Sequence, residues 1–319
     1  MSIGEFDLIA KYFERPVRQA VLGIGDDCAL LQPTPGMQLA ISTDALVEGR
    51  HFLSTVAPER LGHKALAVNL SDLAACGARP LAFTLALAMP RVDERFLTGL
   101  AQGLFALAGQ HGVELVGGDT TAGPLNLTIT AFGEVPPQAA LLRSGARAGD
   151  DVYVSGTLGD ARLALEVFRG GCALPADDFE AVRRAMECPQ PRVALGLALR
   201  GVATSAIDLS DGLVGDLSHV LRRSRVGATL RLAQLPRSAV LAAQPEALQR
   251  LCLLQGGDDY ELLFTAPPSQ RDAVQAAAVR GRVAATLVGC IDAEPGLRVL
   301  DAHGRRLGEL GASFDHFKS

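Results

Sequence analysis

Lysine is nearly missing from this 319-residue chain: among 30 Lys and Arg residues, only Lys11, Lys64 and Lys318 are lysines. None of them follows a glycine, so the Gly-Lys-Ser/Thr of a Walker-type phosphate loop does not exist here. The His-Arg-Asp and Asp-Phe-Gly strings of protein kinases are absent too. Six cysteines (Cys28, Cys76, Cys172, Cys188, Cys252 and Cys290) include no Cys-x-x-Cys pair. That spacing excludes a zinc ribbon or a disulfide framework and points to thiols in a reducing compartment. No apolar run approaches the ~18 residues of a membrane span. The longest, Leu81–Met89, is interrupted by Thr84 and stopped by Pro90. The first residues, Met-Ser-Ile-Gly-Glu-Phe-Asp, are acidic where a signal peptide is basic. A soluble, cytoplasmic protein is the expectation.

What is present fits an ordinary globular chain, 48% hydrophobic and 20% charged. At roughly 150 residues per domain the length suggests two domains. The net charge of −5 argues against a broad nucleic-acid-binding surface. Strand-like and helix-like segments alternate. In the first half, strands are expected at Gln38–Val47, Leu81–Ala88, Glu114–Val116 and Leu125–Val135, and helices at Pro58–Cys76 and Asp93–Gln110. The glycine-rich stretch 143–151 breaks the pattern, which divides the chain into domains 1–145 and 146–319. The second half restarts with Val152–Ser155, continues through helices near 158–169, 177–187, 191–200 and Leu213–Arg223, and adds strands including Ser205–Ile207 and Tyr260–Thr265. Both halves read as mixed α/β.

Asp residues recur at the ends of apolar segments: GIGDDCA with Asp27, STD with Ser42, Thr43 and Asp44, NLSDL with Asp72, GGDTT with Gly118 and Asp119, IDLSDG with Asp208, Ser210 and Asp211, and GGDDYE with Asp258. Asp is short and acceptor-only when ionised, which suits a hard cation such as Mg²⁺, and adjacent glycines admit a phosphate close to the backbone. Gathered carboxylates 4 Å apart repel by roughly 4 kcal/mol per pair at an effective dielectric of 20, which divalent cations relieve. Each string also has a purely structural reading, since Gly-Asp pairs make turns and Asp caps helices. The Asp208–Gly212 segment could do no more than cap the helix from Leu213. Asp26, Asp150, Asp151 and Asp259 are assigned to structure. Asp72 differs, because its helical stripe with Leu61 and Val68 turns it inward, where a carboxylate needs a partner. His51 reads as a hydrogen-bonded or surface residue, and Arg143 as a contact for a nucleotide phosphate or an exposed hinge.

The ordered set GIGDDCA, ISTDALVEG-x-HF, KALAVNLSDLAACGA-x-P, GGDTT-x-GPL, RSGA-x-x-GD, AIDLSDGL, GGDDYEL and SFDHF resembles the thiamine-monophosphate kinase family, within the aminoimidazole ribonucleotide synthetase superfamily. The resemblance implies a two-domain α/β (α+β) architecture with mixed sheets flanked by helices, a homodimer paired through the N-terminal sheet, and transfer of the γ-phosphoryl of ATP to thiamine monophosphate. It implies several Mg²⁺ ions held by Asp27, Ser42, Thr43, Asp44, Asp72, Asp119, Asp208 and Asp211, and leaves a role for K⁺ open. Gly118, Asp119, Arg143 and Ser210 match ATP-binding positions; His51, Asp258 and Phe314 match substrate-binding ones. No catalytic side chain is implied beyond metal-assisted in-line transfer, because the attacking phosphate oxygen is already ionised. One departure is visible: relatives often carry Glu where this chain has Asp258. The selenophosphate synthetases of the same superfamily pair a reactive Cys with a Lys in an N-terminal glycine-rich segment, and no Lys lies near Cys28. An EF-like calcium loop is also absent.

Overall fold

A computed structural model describes residues 4–308, 310 and 311. The chain divides into two compact units, Met1–Leu73 with Ala78–Gln138, and Ala74–Gly77 with Ala139–Ser319. Each contains a mixed sheet flanked by helices, the expected fold class.

The first unit comprises α1 (Glu5–Tyr12), β1 (Gln38–Val47), α2 (Pro58–Ala75), β2 (Arg79–Met89), α3 (Glu94–His111), β3 (Glu114–Ala122) and β4 (Asn126–Val135). Its sheet runs β1-β4-β2-β3, with only β2 and β3 parallel. Alternation along β4 buries Leu127, Ile129 and Ala131 on one face. Helix α3 begins where the Asp93 carboxylate accepts the amides of Arg95 and Phe96, and ends at Gly112 in the left-handed region. Its Leu97, Leu100, Leu104 and Leu107 form one buried stripe. A Cβ on Gly62 of α2 would strike the Leu100 carbonyl oxygen, and one on Gly103 the Glu59 carbonyl oxygen, so the two helices approach backbone to backbone.

Strand β3 is longer than the sequence suggested, continuing through the glycine pair to Ala122. Its pairing with β2 passes from Phe83–Leu115 to Thr84–Gly117, which leaves Val116 as an extra residue in a bulge. The bulge lets the strand survive two glycines that read locally as a turn.

The second unit comprises β5 (Asp151–Ser155), α4 (Asp160–Phe168), α5 (Ala176–Glu187), α6 (Val193–Ala198), β6 (Ser205–Asp208), α7 (Leu213–Ser224), β7 (Gly227–Arg231), α8 (Ala239–Ala242), α9 (Glu246–Gln255), β8 (Leu262–Ala266), α10 (Arg271–Gly281), β9 (Ala285–Asp292) and β10 (Gly296–Leu300). Its sheet runs β10-β7-β9-β5-β8-β6. Strands β5, β6 and β8 are buried along their whole length. Strand β8 starts at Leu262 rather than Tyr260, because Asp258 and Tyr260 both take left-handed backbone angles. Among the described residues, no helix is long and apolar enough to cross a membrane.

Candidate functional site

Two acidic corners emerge, one in each unit. In the first, strand alternation turns Ser42 and Asp44 to one face of β1 and Thr43 to the other. The Ser42 hydroxyl donates to Oδ2 of Asp72 on α2, so the inward carboxylate anticipated at position 72 has a hydroxyl partner. One helical turn earlier, buried Asn69 accepts the Asp44 amide at 3.2 Å and donates to the Ala65 carbonyl at 3.1 Å, tying β1 to α2. Ser42, Asp44 and Asp72 are thereby brought together. The Thr43 hydroxyl instead bonds Thr130 across the strand pair, 2.9 Å away.

Asp27, Gly118 and Asp119 meet at a second place in this unit, a cavity of about 750 Å³. Its walls are α1 with Phe6 and Ile9, Phe13 just after it, the loop Ile24–Ala29, Thr84 and Leu85 of β2, and β3 from Leu115 to Thr120. Asp26, assigned to structure, also faces it, although one of its carboxylate oxygens accepts the Asp27 amide at 3.1 Å. Gly118 (φ +150) lies against β2 so closely that a Cβ would enter the Leu85 carbonyl oxygen, which explains why glycine precedes Asp119.

His51 follows β1, and its Nδ1 accepts the Val47 amide at 3.0 Å. The buried Lys64 ammonium donates to the His51 carbonyl at 3.1 Å. Lys64 was not singled out from the sequence, where its rarity was the one available signal.

In the second unit, Asp208 ends β6 and is buried. The loop after it runs beside the GGDDYE segment: Leu209 N–H donates to the Glu261 carbonyl (2.9 Å), Tyr260 N–H to Leu209 (2.8 Å) and Asp258 N–H to Ser210 (2.8 Å). Asp208, Ser210, Asp211 and Asp258 therefore share one corner. The Tyr260 hydroxyl donates to Oδ1 of Asp258 at 3.1 Å. Helix α7 follows Gly212, an N-cap residue with no side chain to cap it.

Asp216, in the first turn of α7, is a site residue that the sequence reading missed. It is buried, and its Oδ2 accepts the amides of Asp211 and Gly212. Burial, and then the charge of Asp211, push its carboxyl up to about 7. The available signal was its place four residues after Gly212. Arg143 is exposed, and its positive charge reaches both Asp216 and His219. Its loop is fixed by Ser224, whose hydroxyl accepts the Gly145 and Ala146 amides. Phe314 lies outside the described residues.

Three of the four residues assigned to structure, Asp26 being the exception, are engaged within the fold. Asp150 accepts the Arg147 amide and the Thr204 hydroxyl, Asp151 pairs with Arg271, and Asp259 accepts the Gly159 amide at 2.9 Å. Burial drives the Asp259 carboxyl well above the usual carboxylate range. Glu261 is anchored by Arg192 and Ser155.

Among the described residues, no three His, Cys, Asp or Glu side chains converge closely enough to hold a metal ion by themselves. The donors at both corners are nonetheless all oxygens, carboxylates with hydroxyls beside them. That chemistry fits Mg²⁺, which keeps several waters and joins one or two carboxylates to substrate phosphates instead of filling an all-protein cage.

Comparison with known proteins follows the same division. Residues 25–135 match the AIR synthase related protein N-terminal domain, and residues 147–302 the corresponding C-terminal domain. The chain is 43% identical to a thiamine-monophosphate kinase of Haemophilus influenzae over 330 residues, covering 100% of this chain and 99% of the relative. Among solved structures it resembles a thiamine-monophosphate kinase from Stenotrophomonas maltophilia, with a TM-score of 0.84 and 46% identity over 88% of this chain and 91% of the other. It also resembles AaThiL complexed with AMPPCP and TMP, with a TM-score of 0.78 and 28% identity over 90% of this chain and 89% of the other.

Proposed function

The chain belongs to the thiamine-monophosphate kinase family, built on the two AIR synthase related domains, and on that premise we propose that it transfers the γ-phosphoryl group of ATP directly to thiamine monophosphate, giving thiamine diphosphate and ADP. The observation that carries this reading furthest is the cavity where Asp27, Gly118 and Asp119 meet. It sets carboxylates beside glycine backbone that an anionic ligand can approach, and it contains no lysine.

ATP is a polyanion and the acceptor presents a phosphate oxygen, so the site must neutralise charge and align two phosphates; it has no strong base to supply. Mg²⁺ bound here would supply the charge neutralisation. Asp27 and Asp119 would hold it at the cavity of the first unit, Asp44 and Asp72 with Ser42 beside them at the β1–α2 corner, and Asp208 and Asp211 in the second unit; the Thr43 side chain, turned to the other face of β1, stays with Thr130. The Ser42 hydroxyl orients Asp72 by donating to it. Gly118 lets β3 lie tight against Leu85 of β2, which sets Asp119 at the cavity. Arg143 and Ser210 would contact the nucleotide phosphates, Arg143 through a planar guanidinium suited to bidentate phosphate contact. His51 and Asp258 would bind thiamine monophosphate, as would Phe314 by the family pattern. The His51 ring is oriented by the Val47 amide, and the Asp258 carboxylate by the Tyr260 hydroxyl.

The reading extends to a cytoplasmic homodimer, supported by β1 lying at the sheet edge with Leu39 and Ile41 exposed. It is tested by ADP release with ATP and thiamine monophosphate, free thiamine or no acceptor, with and without Mg²⁺ and K⁺, after light scattering of the same preparation. Turnover with the monophosphate alone, dependent on divalent metal, in a particle of twice the chain mass is expected. Turnover indifferent to acceptor would assign the chain a different reaction of the AIR synthase related proteins.

A further inference from the structure

The peptide plane joining Ser210 to Asp211 is held at both ends. Its carbonyl oxygen accepts the Asp258 amide at 2.8 Å, and its N–H donates to Oδ2 of Asp216 at 3.1 Å. The same carboxylate oxygen accepts the next amide, that of Gly212, at 3.0 Å, while the Asp216 amide returns a hydrogen bond to the Gly212 carbonyl at 3.0 Å. Gly212 itself takes φ +120, and no side chain caps the helix that follows. Two consecutive amides thus end on one buried oxygen, where no water can replace it at low cost.

We propose that Asp216 is a positioning residue of the phosphoryl-transfer site, fixing the Ser210–Asp211 peptide plane and through it the spacing between Asp211 and Asp258. Asp211 is assigned to the metal and Asp258 to thiamine monophosphate, so a plane pinned between them sets how the two substrates' ends of the site relate within this unit. The inference rests on the kinase reading above. Asp216 touches neither substrate; its effect passes through the backbone.

The test is titration of the wild type, D216A and D216N with the Mg²⁺ complex of AMPPCP by calorimetry, with cooperative melting checked for each protein. D216A removes the acceptor and orphans two amides, so its affinity should fall by about tenfold or more. D216N keeps an acceptor oxygen at the same place and should recover affinity to within about threefold of wild type. A general loss of packing would not be rescued by so conservative a change. If D216A binds as the wild type does, or if D216N binds as weakly as D216A, the inference is overturned while the kinase reading stands. Should D216A not fold, D216N alone still decides, because weak binding by it contradicts the geometry. A wild type that fails to bind the nucleotide complex overturns the kinase reading and the inference together.

Discussion

Asp258 and Tyr260 hold left-handed backbone angles, φ 65 and φ 49, within three residues of each other. Asp enters that region more readily than Glu, since its short polar chain bonds locally, so the shortened carboxylate noted in the sequence suits the turn that presents it. Between them, Asp259 has a different task, receiving the Gly159 amide at the start of α4. Burial raises its carboxyl, so the folded chain keeps a proton that the unfolded chain releases. The stability this contributes is complete below the ordinary carboxylate range and is lost as pH climbs through the raised value. D259N, which retains the acceptor but cannot ionise, should therefore melt progressively higher than wild type as pH rises from 4 to 8 without divalent metal. An offset that stays constant across that range would remove burial of the charge as the cause. Asp72 on α2 shows what the sequence disclosed at this scale. It was legible because helical period turned it inward and demanded a partner. Its actual partner, Ser42, comes from a strand 30 positions away, and no local pattern specifies that pairing. Asp216 was illegible for a related reason: its acceptor role depends on where the preceding turn folds back.

At the scale of elements, periodicity recovered β1, α2, α3 and α7 nearly to their ends, and Asp93 and Gly112 bracket α3 as their capping chemistry requires. Strand β3 was cut short because Gly117 and Gly118 carry a local preference for turns, which pairing with β2 overrides. Those glycines differ in kind from others in the cavity wall. A Cβ at Gly118 meets the Leu85 carbonyl oxygen, whereas Gly25, also at positive φ (+125), has nothing within 4 Å. G118A should thus force β2 and β3 apart and cost roughly 2–3 kcal/mol or more, and G25A only the ~1–2 kcal/mol of an unfavourable backbone angle. Denaturant unfolding of the two variants checks this; equal losses would mean that strain, not crowding, keeps Gly118 a glycine.

For the whole molecule, mixed α/β character in both halves was readable from alternating patterns, because each unit builds its own sheet; the compact units part at Gln138–Ala139, ahead of the glycine-rich stretch. The cavity was not readable, since its walls come from residues between 5 and 14, 24–29, 84–85 and 115–120, and only folding unites them. One wall is α1, an eight-residue helix seated by buried Leu8 and Tyr12, with Tyr12 and Lys11 bonded to Glu94. A helix so short has little stability of its own and depends on that seat. The sheet's strand pairing does not involve it, so its opening would leave that sheet intact. Amide hydrogens of residues 5–12 should accordingly exchange with solvent faster than those of α3, and slow when Mg²⁺ and nucleotide fill the space behind them. Occupancy of the site would then be recorded as time, in the rate at which one short helix gives up its hydrogens.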